Sequence, residues 1–273
     1  MRRKRSRQRR SRQAEEDEMN AYLEKTLGTA FIESLNKPSK SSIEVIPTGS
    51  DELDHSVLQI GGLPRGRIVE LYGPESAGKT TLALHVIAEC QRLGGVCAFI
   101  DADHALDLNY AQKIGVRIEG LILSRPQSGE EAFAITEELL ASGGADIVVV
   151  DSLAALPTSS EEEYQSEMIE SGVVSILAVV QESAGLVILI NQIRSKVDAY
   201  GDPATTAGEP TLQRYSSIRM RLSKAGLIYD GHQVVGSRSH IQCVQNKLAA
   251  PFKEALLTFS FCGGMKKKTK GIR

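Results

Sequence analysis

The chain of 273 residues has no tryptophan, and only 5% of its residues are aromatic. No apolar run approaches the ~18 residues that a membrane-spanning helix needs, so the sequence predicts no membrane partner. The 4 cysteines include no Cys-x-x-Cys pair, which argues against a zinc site and against a disulfide framework. With 41% hydrophobic and 24% charged residues, the composition is typical of a folded globular protein and excludes disorder throughout the chain.

Acidic residues are absent from both ends of the chain. Residues 1–12 hold eight basic residues and residues 266–273 hold five, whereas the part between them has 19 basic and 34 acidic residues, a net charge of -15. Such cationic tails are typical of segments that bind nucleic acid phosphates; the alternative is a solvated arm that balances the body's charge. A secretory signal is disfavoured because acidic residues follow at 15–18 and no apolar segment is present, while import into an organelle stays open.

Composition divides the chain into four parts. We expect a disordered arm at 1–18, a helix and a short strand at 19–47, the main domain at 48–265 and a basic tail at 266–273. Within the main domain strand and helix patterns alternate, and apolar runs such as IVVV and LVILI are continuous, as strands buried on both faces require. This order predicts an α/β fold with a mostly parallel sheet flanked by helices, followed after Gln213 by an antiparallel extension.

Eight residues that follow the first strand pattern match the phosphate-binding motif GxxxxGK[ST] in full. They are Gly73, Pro74, Glu75, Ser76, Ala77, Gly78, Lys79 and Thr80, and Thr81 continues the helix that they open. Glycines let backbone N–H groups close around phosphates, and a helix N-terminus adds positive potential. The motif therefore predicts a nucleoside triphosphate site, in which Lys79 reaches the β- and γ-phosphates and the Thr80 hydroxyl binds Mg²⁺.

Carboxylates end the strand patterns beside this motif. Asp151 ends a buried strand about seventy residues after the motif, where a carboxylate completes the Mg²⁺ shell in phosphate-binding folds of this kind. Asp101, Asp103 and Asp107 follow the neighbouring strand pattern, and each is a candidate for activating the attacking water. The alternative for each of the three is a helix cap.

Seven blocks resemble, in order and from about residue 24 to residue 264, the RecA family of bacterial recombinases. They read TGS, GGLPRGRIVELYG, GPESAGKTTL, CAFIDADHALD, DIVVVDSLAAL, INQIRSK and NKLAAPFK. The resemblance implies a RecA-like P-loop ATPase core, with a small N-terminal helix and strand at 19–47 that dock on a neighbouring subunit.

The resemblance also implies the activity and the partners. A RecA-like protein is an ATP-dependent recombinase that uses ATP and Mg²⁺ and forms a filament on single-stranded DNA. It pairs that strand with duplex DNA, acts in homologous recombination and DNA repair, and senses DNA damage in the SOS response. The compartment implied is the cytoplasm of a bacterium or of a phage-infected cell.

The residues that match the family motifs take their roles from the resemblance. The catalytic residues it implies are Asp103, Gln192 (the γ-phosphate sensor) and Lys247, which reaches across the subunit interface. Asp107 and Tyr110 flank the adenine. The second DNA loop is matched by Arg194, Lys196, Thr205, Thr206 and Gly208.

Departures from the family pattern predict a weaker enzyme. Asp103 stands for a glutamate and retracts the carboxylate by about 1.5 Å, so we expect slow ATP hydrolysis. Lys247 stands alone where the family has a lysine pair, Arg214 replaces an aromatic residue used between subunits, and Glu209 brings a carboxylate towards DNA phosphate. The first DNA loop, before Tyr164, is shortened and acidic, and we expect the family's small C-terminal domain to be absent.

Two other functions compete with the recombinase. The chain could be an ATP-binding paralogue that modulates a full-length recombinase without efficient strand exchange. A P-loop small-molecule kinase is disfavoured, because the INQIR and APFK blocks and the N-terminal segment have no use there. Stimulation of ATP hydrolysis by single-stranded DNA separates the recombinase from both.

Overall fold

The computed structural model describes residues 43–156, 162–195 and 204–265. The predicted arm and most of the N-terminal segment, residues 160 and 161 of the acidic first DNA loop expected at 160–164, Lys196 and the basic tail lie outside the described residues. Within the described residues no helix combines the length and the apolar character needed to cross a membrane.

The main domain alternates strands and helices as the sequence predicts. The strands are β1 (Val45–Ile46), β2 (Leu63–Pro64), β3 (Arg67–Gly73), β4 (Cys97–Asp101), β5 (Leu121–Ser124), β6 (Ile147–Asp151), β7 (Leu186–Ser195), β8 (Ala204–Thr206), β9 (Ile218–Asp230), β10 (Gln233–Asn246), β11 (Glu254–Ser260) and β12 (Gly264–Met265). The helices are α1 (Lys79–Arg92), α2 (Leu108–Ile114), α3 (Gly129–Ala141), α4 (Glu162–Ser183) and α5 (Glu209–Tyr215). A π-helical segment, Glu52–Val57, follows β1.

The central sheet confirms the predicted fold class. Its strand order is β12-β11-β10-β9-β3-β7-β6-β4-β5, and β8 pairs with β7 outside this path. The pairs from β9 through β3, β7, β6 and β4 to β5 are parallel, whereas β9, β10, β11 and β12 pair antiparallel. The sheet is therefore mostly parallel on one side and extended by antiparallel strands on the other.

Both faces of the parallel part are covered, as continuous apolar strands require. In β6, Ile147 and Val149 belong to one apolar cluster, which includes residues of α1 and α2. Val148 and Val150 belong to the other cluster, which includes residues of α3, α4 and α5. Strand β6 thus alternates its side chains between two cores, and β4 and β7 do the same.

Two predicted boundaries are wrong, and each has a physical reason. The apolar pattern predicts a helix over 171–183, whereas α4 begins at Glu162, because its first turns are polar and Met168 and Ile169 are among the few residues that they bury. The sequence pattern predicts strands over 216–222 and 240–245, whereas β9 and β10 have 13 and 14 residues and form one long hairpin. The ladder continues past the core to a mostly exposed tip, where Leu227, Tyr229 and Val234 face solvent, so burial does not mark how far the strands extend.

Strand β1 is the part of the predicted N-terminal segment that the structure describes. It pairs antiparallel with β2, and Ile46 is fully buried in the core. Residues 45 and 46 therefore pack on their own chain.

Candidate active site

The carboxyl ends of the parallel strands β3, β4, β6 and β7 lie at one edge of the sheet. β3 ends at Gly73, and in the parallel register Gly73 lies beside Gln192 of β7. Asp101, the last residue of β4, lies beside Asp151, the last residue of β6. Ligands of open α/β sheets bind outside this edge, so the fold brings the phosphate-binding motif, the aspartates and Gln192 to a common place.

The phosphate-binding loop joins β3 to α1 and packs closely against the antiparallel strands. Gly73 has φ +154°, and a Cβ there would lie 2.0 Å from the Leu222 carbonyl oxygen. Gly78 has φ +90°, and a Cβ there would lie 2.6 Å from the Phe259 ring. Only glycine fits these two positions, because both the conformation and the space exclude a side chain.

Lys79 is the first residue of α1 and is buried inside the loop. Its Nζ donates to the carbonyl oxygens of Gly73, at 3.0 Å, and of Pro74, at 2.8 Å. Burial lowers the pKa of Lys79, while the charges of Asp151, Glu75 and Asp103 raise it. The loop therefore holds one ammonium group where the motif predicts the β- and γ-phosphates.

Thr80 and Asp151 lie side by side at the start of α1. The Thr80 hydroxyl donates to Asp151 Oδ2 at 2.5 Å, and Asp151 is 8% exposed. Burial raises the pKa of Asp151 to about 6, partly offset by the hydrogen bond from Thr80. A hydroxyl and a carboxylate oxygen are donors that Mg²⁺ prefers, and Mg²⁺ is usually held by one or two such groups together with phosphate and water. Consistent with that, the described residues include no group of three or more acidic, histidine or cysteine side chains suited to a metal alone.

The three candidate aspartates differ in what they contact. Asp101 is 2% exposed and accepts from the backbone N–H groups of Ala105 and Leu106. Asp107 is the N-cap of α2 and accepts from the backbone N–H of Tyr110 at 3.0 Å. Asp107 therefore caps α2, as the helix-cap alternative expects, whereas Asp101 holds the loop before that helix and also pairs with Arg125, whose Nε lies 3.3 Å from Asp101 Oδ2.

Asp103 is held by one side chain, that of Ser152. The Ser152 hydroxyl lies 3.4 Å from each of its carboxylate oxygens. Burial raises the pKa of Asp103, and the charges of Lys79 and Glu75 act on it as well. Asp103 thus has a side-chain partner directly after β6, and two charged groups of the phosphate-binding loop act on its pKa.

Gln192 marks the point where β7 leaves the sheet. Its backbone N–H donates to Asn191 Oδ1 at 3.0 Å, and its side chain is half-buried. Beyond it, Ile193 pairs with Thr206 and Arg194 pairs with Thr205 in the short ladder of β7 and β8. Gln192 therefore links the phosphate-binding edge with the segment that the resemblance assigns to DNA.

The structure packs part of the predicted DNA-binding set into the chain. Thr206 is buried, and Gly208, at φ +64°, is also buried, with Ile169 2.5 Å from the position of a Cβ. The structure describes Arg194 and Thr205 by their backbone alone. The expectation that Glu209 points towards DNA phosphate is wrong, because its carboxylate lies 3.6 Å from Arg219 inside the chain.

Lys247 lies apart from the aspartates, whereas Tyr110 lies beside Asp107 and contacts the Thr81 side chain of α1. The Tyr110 hydroxyl donates to the Ser260 carbonyl oxygen at 3.4 Å. Lys247 follows Asn246, which pairs with the first residue of β9, whereas the phosphate-binding loop lies beside Leu222 further along that strand. Its Nζ donates to the Arg214 carbonyl oxygen at 2.6 Å. Within one chain, Lys247 does not join the site.

Sequence reasoning missed Ser152 and a buried polar cluster of Glu70, Asn191 and Arg219. Ser152 directly follows Asp151, so its place at the strand end was a usable signal. Glu70 interrupts the apolar strand RIVELY and Arg219 interrupts IRMRL, and a charge inside a buried strand predicts a partner. Which partner each charge takes depends on the strand order, which the sequence does not show.

Known proteins share the sequence of almost the whole chain. The family model described as the RecA N-terminal domain matches residues 16–266. The chain belongs to the RecA family. It is 47% identical over 259 residues to Protein RecA of Symbiobacterium thermophilum, which covers 91% of this chain and 74% of that protein. It is 43% identical over 261 residues to Protein RecA of Wolbachia pipientis subsp. Culex pipiens, covering 92% of this chain and 73% of that protein.

Membership of the RecA family establishes the general activity of the chain. RecA-family proteins are DNA-dependent ATPases of recombination and repair, and this chain is one of them. The family uses a nucleotide, binds DNA and forms filaments. The expected alternative, a modulating paralogue, is not favoured by these similarities.

Proposed function

We propose that this chain hydrolyses ATP with Mg²⁺ at the carboxyl edge of its parallel sheet, and that it does so as a recombinase filament on single-stranded DNA. The observation that carries the proposal is the convergence of Lys79, the Thr80–Asp151 pair, Asp103 and Gln192 at that edge. Damage sensing and pairing with duplex DNA belong to the same proposal, in the cytoplasm of a bacterium or of a phage-infected cell.

Each group has a role that its contacts support. The backbone of residues 73–78 and the Lys79 ammonium bind the β- and γ-phosphates, and adenine lies near Asp107 and Tyr110. Thr80 and Asp151 would hold Mg²⁺, which neutralises charge on the phosphates when it is bound. Asp103, positioned by Ser152, orients the attacking water and accepts its proton. The site works slowly, because aspartate reaches less far than glutamate.

Gln192 and Lys247 depend on the assembly. Gln192, on β7, contacts the γ-phosphate. It thereby couples nucleotide binding to the DNA-binding segment that contains Arg194 and Lys196. Lys247 acts on the nucleotide of a neighbouring subunit, since it lies away from the phosphate-binding loop of its own chain. The N-terminal segment 19–47, apart from the two residues of β1 that pack on their own chain, supplies the contact between subunits. The basic tails add phosphate contacts, and a full-length recombinase is a further filament partner in this proposal.

Filament formation tests this function. The purified chain is incubated with ATP, Mg²⁺ and single-stranded DNA and is examined by electron microscopy beside a Lys79→Ala variant. We expect continuous filaments for the parent chain and short or sparse ones for the variant. A parent chain that forms no filament on DNA, or a variant that forms filaments as well as the parent does, contradicts the proposal.

A further inference from the structure

Three neighbouring strands bring buried polar side chains to one face of the sheet. Glu70 of β3 lies opposite Arg219 of β9, and Asn191 of β7 lies opposite Tyr72 of β3. Glu70 and Asn191 are 0% exposed, and Arg219 is 4% exposed. We call Glu70, Asn191 and Arg219 the buried cluster. It lies below the carboxyl edge that carries the phosphate-binding loop.

The cluster neutralises Glu70 but leaves one arginine nitrogen unpaired. Arg219 Nε donates to one carboxylate oxygen of Glu70, and Asn191 Nδ2 donates to the other at 3.3 Å. Burial raises the pKa of Glu70, and Arg219 opposes that shift. The Arg219 guanidinium also lies 5.0 Å from the centre of the Tyr72 ring. Among the described residues, Arg219 Nη2 is buried and has no hydrogen-bond partner.

Glu209 faces that unpaired nitrogen. Its Oε1 lies 3.6 Å from Arg219 Nη2, which makes an ion pair at the limit of contact. Its other oxygen accepts from the backbone N–H of Thr206 at 3.4 Å, and Gln213 Nε2 donates to Oε1 at 3.1 Å. One carboxylate therefore ties the end of β8 and the first turn of α5 to the buried cluster.

Asn191 connects the same cluster to the site. Its Nδ2 donates to the Ala207 carbonyl oxygen at 2.8 Å, and its Oδ1 accepts from the backbone N–H of Gln192 at 3.0 Å. Gln192 in turn lies beside Gly73, the first residue of the phosphate-binding loop. A continuous set of contacts thus runs from Glu209 through Arg219, Glu70 and Asn191 to Gln192.

We propose that Glu209 is a positioning residue, which holds β8 and α5 on the buried cluster and through that cluster fixes the backbone of Gln192. The charge of Glu209, attracted to Arg219, keeps the segment 204–215 in place. The cluster then transmits that restraint to β7, because Arg219 and Asn191 share Glu70. The catalytic part of this inference rests on the proposed role of Gln192, whereas the structural part rests on the contacts alone.

Glu209→Gln is the variant that tests the inference. It keeps the length of the side chain and an oxygen that accepts from Thr206, but it removes the charge that attracts Arg219 and the oxygen that accepts from Gln213 Nε2. Glu209 is 26% exposed, so the substitution opens no cavity in the core. Glu182→Gln makes the same change of charge at an exposed position on α4 and serves as the control. Glu209→Asp, shorter by about 1.5 Å, is a second variant that keeps the charge but loses the reach.

Hydrogen exchange of the protein without nucleotide is the first measurement. We expect Glu209→Gln to speed exchange about tenfold in peptides that cover both 204–215 and 186–195, the effect of losing one charge-assisted contact. Glu209→Asp gives a smaller change in the same two peptides, and Glu182→Gln gives none. Faster exchange confined to 204–215 means that Glu209 acts only on its own turn, and unchanged exchange means that the ion pair holds nothing. Either result overturns the inference.

Steady-state ATP hydrolysis is the second measurement. In Glu209→Gln we expect kcat to fall at least about threefold with KM for ATP unchanged, since Gln192 would be misplaced while the phosphate-binding loop stays intact. An unchanged kcat, or a change confined to KM, overturns the catalytic part. If the parent chain does not hydrolyse ATP at all, the proposed function fails, and the exchange experiment still decides whether Glu209 restrains β7.

Discussion

The phosphate-binding loop and the buried cluster lie next to each other but are specified in different ways. The loop is one contiguous stretch, in which glycines, Lys79 and Thr80 hold positions set by the backbone of β3 and α1. The cluster takes Glu70, Asn191 and Arg219 from three strands that are neighbours only in the folded sheet. The residues of the loop can therefore be identified from the sequence alone, whereas the contacts of the cluster depend on the strand order of the folded sheet. The comparison teaches that the two should respond differently to substitution.

Breaking the cluster should have the largest effect. Arg219→Met removes the cation that faces Glu70 and leaves a fully buried carboxylate unpaired, which we expect to cost about 3–5 kcal/mol of unfolding free energy. The measurement is chemical denaturation of the variant and the parent. Arg65→Met is the control, because it breaks the partly exposed pair with Asp146 and should cost at most about 1 kcal/mol. Equal costs for the two variants would mean that the burial of the Glu70–Arg219 pair has no consequence.

The second effect separates two costs of replacing a loop glycine: the steric clash of the new methyl group and the strain of a positive φ. Gly73→Ala places a methyl group 2.0 Å from the Leu222 carbonyl oxygen, so we expect it to lose more than the ~1–3 kcal/mol that an unfavourable positive φ costs alone. Gly94→Ala has φ +90° with no atom within 4 Å of the new methyl group, and it isolates the cost of conformation. Thermal denaturation measures both variants. A Gly73→Ala protein as stable as Gly94→Ala would show that the loop can move away from β9.

The third effect is a loss of ATP affinity that leaves the free energy of unfolding unchanged. Lys79→Ala removes the ammonium group inside the loop, and charge-assisted contacts are worth about 1.5–3 kcal/mol each, so ATP affinity should fall by at least about tenfold. Calorimetric titration with ATP and Mg²⁺ measures it, beside Lys113→Ala, which removes an exposed lysine from α2. If both variants bind ATP as the parent does, the phosphate site has been assigned to the wrong residue.

The smallest effect is on turnover alone. Asp103→Glu extends the carboxylate by about 1.5 Å towards the position that the family's glutamate takes, so kcat should rise while ATP affinity changes little. Asp103→Asn, with nearly the same shape and no base, should lose most of the turnover. Steady-state kinetics compare the three proteins. Slower hydrolysis by Asp103→Glu would show that Ser152 and the surrounding site fit the shorter side chain.

The sequence could predict what is local. The phosphate-binding loop, the doubly buried strands and Asp151 at a strand end follow from motif and apolar pattern, and the structure has them at those positions. The start of α4 and the length of the β9–β10 hairpin could not be predicted, because the first turns of α4 are polar and the apolar residues at the hairpin tip face solvent instead of a core. Choosing among Asp101, Asp103 and Asp107 also needed the structure, since the sequence does not show that Asp101 holds the loop and Arg125 or that Asp107 caps α2. The inward turn of Glu209 depends on a partner ten residues away on another element.

The most direct test is the rate of ATP hydrolysis with and without single-stranded DNA. If the carboxyl edge of the sheet is an ATPase site joined through Gln192 to the DNA segment, DNA should raise the rate of the parent chain. Lys79→Ala should then show little hydrolysis in either condition. A rate that DNA does not change, or hydrolysis that persists in Lys79→Ala, would contradict the account.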